Sequence, residues 1–580
     1  MASPVGEADA RVSTSEVPAP ISLSATARRG TLIAVVLGSA VVFLDTSVVN
    51  LALPQIGREM TSSSMGTLEA QSYVAYGYFV TLSSLLILAG GLTDYYGRRK
   101  VFSLGLLGFG ATSLLCGIAP NIEFLILARV LQGAAGAFVV PGSLSIITAS
   151  FHGEERGRAF GIWAGASAAT SILGPFVGGV LVNSISWRAA FLINLPLLAI
   201  AYIATVRYVP ESKDPDATGH FDWLGSIVIV LAVGGLAFGT IRGQQRGWGD
   251  PVALTSLFIG AVATIAFPFM MVKRKNPLVS PRLFRSRNFT VTNLSTLVIY
   301  GALYVSFTFQ GLFLIGVLGY NEQAAGIAGV PSSLLLVLFS TRFGRLAARH
   351  GPRLFMAAGP AIMALGLLWF VRIPSTSEGW KFGQAGGSIL PPGDYFVDIL
   401  PALLVFGAGL TIMVAPLTTA LMTSVPESKA GVASAINNAI SRVGSPLVTA
   451  VIFVAVAASF YSSIGKQVPE ANVDSAQFRA QVAPLNQPSG DVSPAIVEAS
   501  REASTDAFHL AVIVSAALLL IGAAVNGFGI RNPSPSAGGP AAEVAPSDNA
   551  GAAGPVRHRK GGGPEPPERE PERTGPAREA

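Results

Sequence analysis

The amino-acid sequence predicts an all-α membrane protein, and three observations support this fold class. Half of the 580 residues are hydrophobic and only 12% are charged, about half the charged fraction of a soluble domain. Apolar runs of about 20 residues recur between short polar connectors, and a helix needs this length to cross a bilayer. The segments of alternating polarity that are typical of a membrane β-barrel are not found. We therefore expect a multi-pass protein of the lipid bilayer.

About 14 predicted spans divide the chain into five parts. Residues 1–30 are small, polar and proline-containing, and we expect a disordered tail rather than a signal peptide. Residues 31–208 are expected to form an N-terminal six-helix bundle, 209–288 an inserted helix pair with its connectors, and 289–530 a C-terminal six-helix bundle. Residues 531–580 contain almost no large apolar residue, which is typical of a disordered tail. The predicted spans are 31–53, 72–92, 101–118, 122–149, 159–183, 189–208, 223–242, 253–272, 289–318, 324–343, 354–372, 396–424, 430–462 and 507–530.

The cations of the connectors predict the orientation of the chain. Arg and Lys are concentrated after the second, eighth and tenth spans, at 98–100, 273–287 and 342–353. Positively charged connectors stay on the cytoplasmic side of a membrane. Both termini are therefore expected to face the cytoplasm, with the protein in the cell membrane. Because the cations cluster in connectors and tails, the net charge of +6 is assigned to the membrane surface rather than to nucleic-acid binding.

The connector between the second and third spans, residues 90–100, predicts a gate. It combines an acidic residue, a glycine turn and three consecutive cations. The carboxylate of Asp94 can accept hydrogen bonds from Arg98 or from the first turn of a neighbouring helix, where the helix dipole favours negative charge. The alternative is a basic loop that only sets topology, which explains the cations but not the acid or the glycines. The gate residues are Gly90, Asp94, Gly97, Arg98 and Arg99.

Residues 344–353 repeat the Gly, Leu, Gly and Arg frame of residues 90–100, with Ala348 at the acidic position. Each copy follows the second span of a six-span block. Two blocks of like orientation are typical of a secondary transporter with parallel repeats, whose binding site lies between the halves. The alternative is that a short Gly/Arg-rich loop matches by chance.

Asp45 and Arg129 are candidates for proton coupling. An ionisable side chain within a span is costly and by default marks an ion or proton path. Both residues lie roughly 12–14 Å from the outer ends of their spans at 1.5 Å per residue, so we expect them to be close enough to interact. Arg129 is expected to be the only other buried charge of the first half. The alternatives are a structural Asp45, and an Arg129 that pairs with backbone carbonyls or polar side chains.

These motifs together resemble the major facilitator superfamily. Residues 90–100 resemble the signature between its second and third spans, although Tyr95 stands where the family often has Arg. Residues 44–54, 129–133 and 187–196 are similar to motifs of the 14-span drug:proton antiporter branch. The resemblance covers roughly residues 31–530 and implies the major facilitator fold, with two six-helix bundles and two inserted helices.

The fifth span resembles the antiporter signature of that family, except that Thr170 replaces its middle glycine. The matching residues are Gly161, Gly174, Pro175, Gly178 and Gly179. The proline removes a helix hydrogen bond, and the glycines permit close helix contact. Ordinary packing by small residues would give nearly the same pattern.

Polar and aromatic residues within the spans are candidates for the substrate cavity, although such aromatic residues are more often core or lipid-facing. The candidates are Tyr76, Tyr300, Tyr304, Gln310, Asn437 and Arg442. Asn437 and Arg442 are the polar groups of the thirteenth span.

The sequence therefore predicts a proton-coupled antiporter that exports amphipathic small molecules such as drugs or antibiotics, and acts as a monomer. The alternatives are a dedicated metabolite or lipid exporter of the same fold, and a polytopic membrane enzyme or sensor. We find no nucleotide-binding loop, metal-ligand spacing or catalytic carboxylate pair, so no enzyme activity, cofactor or metal is predicted. All five histidines are expected outside the spans.

Overall fold

The structure, a computed structural model, describes residues 23–60, 67–215, 217, 220–383, 388–490 and 492–532. Most of both predicted tails, residues 1–22 and 533–580, lies outside these ranges. The described residues are helical with short connectors and contain no strand, so the all-α prediction is confirmed. The helices are α1 Ala25–Glu59, α2 Thr67–Tyr96, α3 Arg98–Gly117, α4 Ile122–Ser150, α5 Gly153–Ser184, α6 Ala189–Leu192, α7 Asn194–Tyr208, α8 Trp223–Arg246, α9 Pro251–Lys273, α10 Arg287–Leu312, α11 Glu322–Ala328, α12 Val330–His350, α13 Arg353–Trp369, α14 Leu400–Thr423, α15 Ala430–Gln467, α16 Ala476–Gln481 and α17 Pro494–Gly529.

Thirteen helical segments of the described residues are long and apolar enough to cross a membrane. The helix α5, with 32 residues, is a further long helix beside them. Several helices begin at a capping residue that satisfies free backbone amides: Asn121 Oδ1 accepts from Phe124 N at 2.8 Å, and Asp250 caps α9 in the same way. The chain is a multi-pass membrane protein.

Two sequence expectations differ from the structure at α17. The helix begins at Pro494, well before the predicted start at 507, because Ser493 caps it and Pro494 is compatible with the first helical position. A hydropathy pattern does not register the polar turns with which a helix extends beyond the apolar layer. His509 lies within this helix and contacts the carbonyl of Ile373 at 3.1 Å, so the expectation that every histidine lies outside the spans is wrong.

Following the division that the sequence predicts, we call α1–α7 the first half, α8 and α9 the inserted pair, and α10–α17 the second half. Small residues permit close approach within each group. The Cα atom of Gly235 in α8 has room only for hydrogen, because a Cβ there would lie 2.9 Å from the Gly260 backbone of α9. The helix α8 also packs against α2 and α15, so the inserted pair contacts both halves.

Candidate functional site

The carboxylate of Asp45 lies on α1 and is fully buried. Its Oδ2 accepts a hydrogen bond from the Arg129 guanidinium at 2.6 Å, across from α4. The same guanidinium donates from Nε to the carbonyl of Val74 at 3.2 Å and lies 4.2 Å from the ring centroid of Tyr78. The two predicted proton-coupling residues therefore form a direct ion pair, and Arg129 also has the backbone and polar partners of the alternative interpretation.

Amide side chains complete this buried cluster. Asp45 Oδ1 accepts from Gln132 Nε2 at 3.1 Å and from Asn194 Nδ2 at 2.9 Å. The same two amide nitrogens each lie 2.9 Å from Ser113 Oγ. Asn194 Oδ1 is buried without a hydrogen-bond partner, so one acceptor of the cluster is unsatisfied. Gln132 and Asn194 lie within the sequence motifs at 129–133 and 187–196, but these motifs do not predict their contact with Asp45.

The partners of the Asp45 carboxylate share one chemical property. Every group that reaches the carboxylate is a donor, and Arg129 cannot lose its proton under ordinary conditions. A buried charge is tolerated when it is paired and hydrogen-bonded, but removing one partner of such a pair costs about 3–5 kcal/mol. Protonation of Asp45 would therefore free Arg129 from its counterion and displace at least one of the donors.

The predicted gate residue Asp94 lies at the end of α2. Its Oδ1 accepts from the Gly431 backbone amide at 3.0 Å and its Oδ2 from Val432 at 2.9 Å. These amides belong to the first turn of α15, where the helix dipole favours a negative charge. Arg98 lies 3.3 Å from the same carboxylate and donates to the backbone carbonyl of Glu427. Asp94 thus has both types of partner that the sequence suggested.

Asp94 and Arg98 are each only 3% exposed. The expectation that Arg129 is the only other buried charge of the first half is therefore wrong. Hydropathy predicts that Asp94 and Arg98 lie in an exposed connector. The structure buries them because the second half packs against this connector, and hydropathy does not register such a tertiary contact.

The two halves also meet through α5 and α12. The Gly344 backbone lies so close to Gly157 that a Cβ on Gly157 would be 2.5 Å from the Gly344 oxygen. Ser340 Oγ donates to the Gly161 carbonyl at 2.8 Å. These contacts lie at the face of the bundle where α2 ends and α3 begins, which we call the basic face. The repeated loop therefore packs against the first half, as the loop at 90–100 packs against the second.

The remaining gate residues serve the turn between α2 and α3. Gly97 adopts φ +113°, a conformation that only glycine adopts readily. Arg99 N donates to the carboxylate of Glu211 at 3.0 Å. The backbone of Gly90 crosses that of Gly431, and a Cβ on Gly90 would lie 2.4 Å from the Gly431 oxygen.

The glycines of the antiporter signature do not form one cluster. A Cβ on Gly174 would lie 2.5 Å from Ser47 Cβ, and Gly178 faces Val48, so the far part of α5 packs against α1. Gly161 instead contacts α12 in the other half. For Pro175 and Gly179 the structure describes only helical backbone. The signature therefore spans two different helix contacts.

The structure does not bring all the predicted cavity residues together. Tyr76 lines a separate cavity of about 220 Å³ that is formed by α2, α4 and α8. At its edge Arg242 donates to Tyr73 Oη at 2.8 Å and pairs with Asp250 at 2.9 Å. Hydrogen bonds from Arg242 lower the pKa of Asp250 below its usual value. The structure therefore places Tyr76 apart from the candidates on α10 and α15, and its role in a substrate cavity stays a prediction.

The other candidates lie on α10 and α15. Asn437 is buried and donates to Thr296 Oγ1 of α10 at 2.8 Å, within the second half. The Arg442 guanidinium lies 5.7 Å from the ring of Phe79 on α2 and so reaches across to the first half. Tyr304 is 41% exposed, while Tyr300 and Gln310 are half-buried. Within the described ranges, no group of His, Cys, Asp and Glu side chains is arranged to hold a metal ion.

Comparison with known proteins gives the family. The model of the Major Facilitator Superfamily matches residues 35–449. The chain belongs to the major facilitator superfamily. It is 32% identical over 448 residues to the multidrug resistance protein Stp of Mycobacterium tuberculosis (strain CDC 1551 / Oshkosh), covering 77% of this chain and 79% of Stp. It is 30% identical over 438 residues to a methylenomycin A resistance protein of Bacillus subtilis (strain 168), covering 75% and 89% of the two chains.

This superfamily member also resembles a solved structure, the human organic anion transporter MFSD10 (TETRAN). The TM-score is 0.54 at 12% identity, with 86% of this chain and 99% of the other covered. That likeness concerns the fold. The family assignment makes the chain a membrane transporter of small molecules rather than an enzyme, as the sequence predicted.

Proposed function

We propose that the chain is a proton-coupled exporter of amphipathic small molecules that works by alternating access in the cell membrane. The observation that carries this proposal is the fully buried Asp45, paired with Arg129 at 2.6 Å inside the first half of a transporter. Intramembrane ionisable residues of this kind form proton relays in transporters. Both termini face the cytoplasm, in keeping with the cations of the basic face.

The relatives support a drug or antibiotic as the transported molecule. Stp is described as a multidrug resistance protein, and the Bacillus subtilis relative as a methylenomycin A resistance protein. Each alignment covers about three quarters of this chain, and the matched family region, residues 35–449, contains the Asp45 cluster. Export of such molecules from the cytoplasm is the activity that these descriptions favour.

The gate supports the alternating-access part. At the basic face Asp94 joins α2 to the first turn of α15, and the Gly157–Gly344 contact joins α5 to α12. This arrangement supports a state that is closed toward the cytoplasm. Opening the basic face would break the two bonds to Asp94 while each half moves as a body.

Coupling follows from the charge of the buried pair. A proton taken up at Asp45 neutralises the carboxylate and leaves Arg129 with its bonds to Gln132 Oε1 and to the carbonyl of Val74, at 2.7 and 3.2 Å. Such an arginine can shift toward another acceptor, including one on a substrate. Release of the proton restores the ion pair. Because the two charge states differ in the position of Arg129, they favour different packing of α1, α2 and α4.

The test measures efflux of a cationic dye from cells expressing the chain. Efflux should stop on addition of a protonophore and should fall at least roughly tenfold in Asp45→Asn, which cannot bind or release a proton. Asp474→Asn is the matched control, because Asp474 is exposed and pairs with Arg479 on the same connector. Dye efflux that persists in both the protonophore and Asp45→Asn experiments contradicts proton coupling.

A further inference from the structure

The described residues of the connector between α7 and α8 run along the basic face, and we call them the strap. They are residues 209–215, 217 and 220–222. One end is fixed to the start of α3. Glu211 accepts from the amides of Arg99 and Lys100 at 3.0 and 3.1 Å. Gly97, the residue that precedes α3, has no side chain to cap the helix. Glu211 therefore supplies the negative cap that helix N-termini favour, from outside the helix.

The middle of the strap is bonded to both sides of the α2–α3 turn. Arg98 N donates to the carbonyl of Ser212, and Asp214 N donates to the carbonyl of Asp94, each at 2.8 Å. The gate carboxylate and the strap are therefore held in one backbone network. A displacement of the strap displaces the residue that bears the gate acid.

The other end of the strap is fixed to the inserted pair. Asp222 Oδ1 caps α8 by accepting from Gly225 N at 2.9 Å. The same side chain pairs with Arg274 at 2.5 Å and accepts from the amide of Leu278 at 3.1 Å. The strap is thus anchored at both ends on helices other than α15.

Asp214 connects this anchored strap to the second half. Its side chain is 3% exposed and pairs with the ammonium of Lys429. Lys429 is the residue that precedes α15, and the amides of Gly431 and Val432 that bind Asp94 follow it. Two carboxylates of different connectors therefore hold the same end of α15.

We propose that the strap is a second component of the gate, in which Asp214 positions the start of α15 through Lys429. This inference rests on the alternating-access part of the proposed function. When the basic face opens, α15 leaves the strap and the buried Asp214 loses its cationic partner. Separating this charge-assisted bond costs free energy, and that cost favours the closed state. The inserted helix pair thereby influences the gate, although it belongs to neither half.

The experiment measures the two conformations by pulsed electron-spin distances in lipid nanodiscs. The single cysteine Cys116 is first replaced by Ser. One pair of spin labels, at Leu104 and Leu354, reports on the basic face, and a second pair, at Ile118 and Val397, reports on the opposite face. All four of these side chains are exposed. The ratio of basic-face-open to basic-face-closed molecules is compared in four backgrounds. These are Asp214→Asn, Lys429→Gln, the exchange Asp214→Lys with Lys429→Asp, and the control Lys213→Gln, whose side chain is exposed.

Asp214→Asn and Lys429→Gln should each raise the open-to-closed ratio roughly tenfold, as expected for loss of one charge-assisted bond. The exchanged pair should return the ratio to within about threefold of the parent, which simple structural damage would not do. Lys213→Gln should match the parent. If the parent protein alternates between the two conformations and both single variants keep its open-to-closed ratio, the role of the strap is contradicted but alternating access is not. If the parent protein shows one distance at each face under every pH and substrate condition, both alternating access and the role of the strap are contradicted.

Discussion

The close approach of the two halves at Gly90 makes Gly90→Ala a sensitive test of the gate. A Cβ on Gly90 would lie 2.4 Å from the Gly431 oxygen and 2.5 Å from Ala435 Cβ, whereas ordinary contact begins at 3.4 Å. The obstacle is backbone of α15, so α2 and α15 must separate by about 1 Å. The Asp94–Gly431 bond, now 3.0 Å, would then reach about 4 Å and exceed hydrogen-bonding distance.

The energy at stake is that of a hydrogen bond to a charged group, about 1.5–3 kcal/mol. Losing it should therefore raise the open-to-closed ratio at the basic face by at least about tenfold. The same spin-label pair on the basic face measures that ratio, and dye efflux measures its effect on transport. We expect the open population to rise and efflux to fall, because the closed state is one of the two needed in each cycle.

Gly311→Ala is the matched control, because a Cβ on Gly311 meets no atom within 4 Å. Both variants should be compared at equal amounts of protein in the membrane. If Gly90→Ala keeps the ratio and the efflux of the parent, as Gly311→Ala should, the contact of α2 with α15 is not the gate.

Two further substitutions test the buried pair and its neighbouring helix contact. Arg129→Lys keeps the charge but loses the planar donors that reach Asp45 and the α2 backbone together, so dye efflux should fall roughly tenfold. The control Arg158→Lys, at an exposed position, should leave dye efflux unchanged. Equal efflux in the two variants would contradict a special role for the Arg129 guanidinium. Gly174→Ala places a Cβ 2.5 Å from that of Ser47, two residues after Asp45, and overpacking of this kind costs about 1–3 kcal/mol. The melting temperature in detergent and the efflux should both fall, and a variant that retains both values would show that α1 and α5 separate there without consequence.

Hydropathy and spacing were sufficient for the helical fold and for part of the site. Asp45 and Arg129 were paired from their depth alone, since a helix rises by a constant 1.5 Å per residue. Depth does not give the direction in which a side chain points around its helix. For this reason Asn194 was not assigned to the pair, and Tyr76 was grouped with residues from which the structure separates it.

The strap was missed for a different reason. Residues 209–222 are polar and aperiodic, and such a segment is usually a solvated connector. Its role depends on Asp214, which is buried only because α2, α3 and the start of α15 meet there. A charge whose burial arises from the meeting of three distant segments leaves no local pattern in the sequence.

The helix α2 is the element that touches both the buried pair and the gate. Near one end, the Val74 carbonyl accepts from Arg129 and the Tyr78 ring lies 4.2 Å from the guanidinium. At the other end, Asp94 binds the first turn of α15. Twenty residues of helix separate Val74 from Asp94, about 30 Å at 1.5 Å per residue. Under the proposed function, α2 is therefore the element through which a shift of Arg129 would reach the gate.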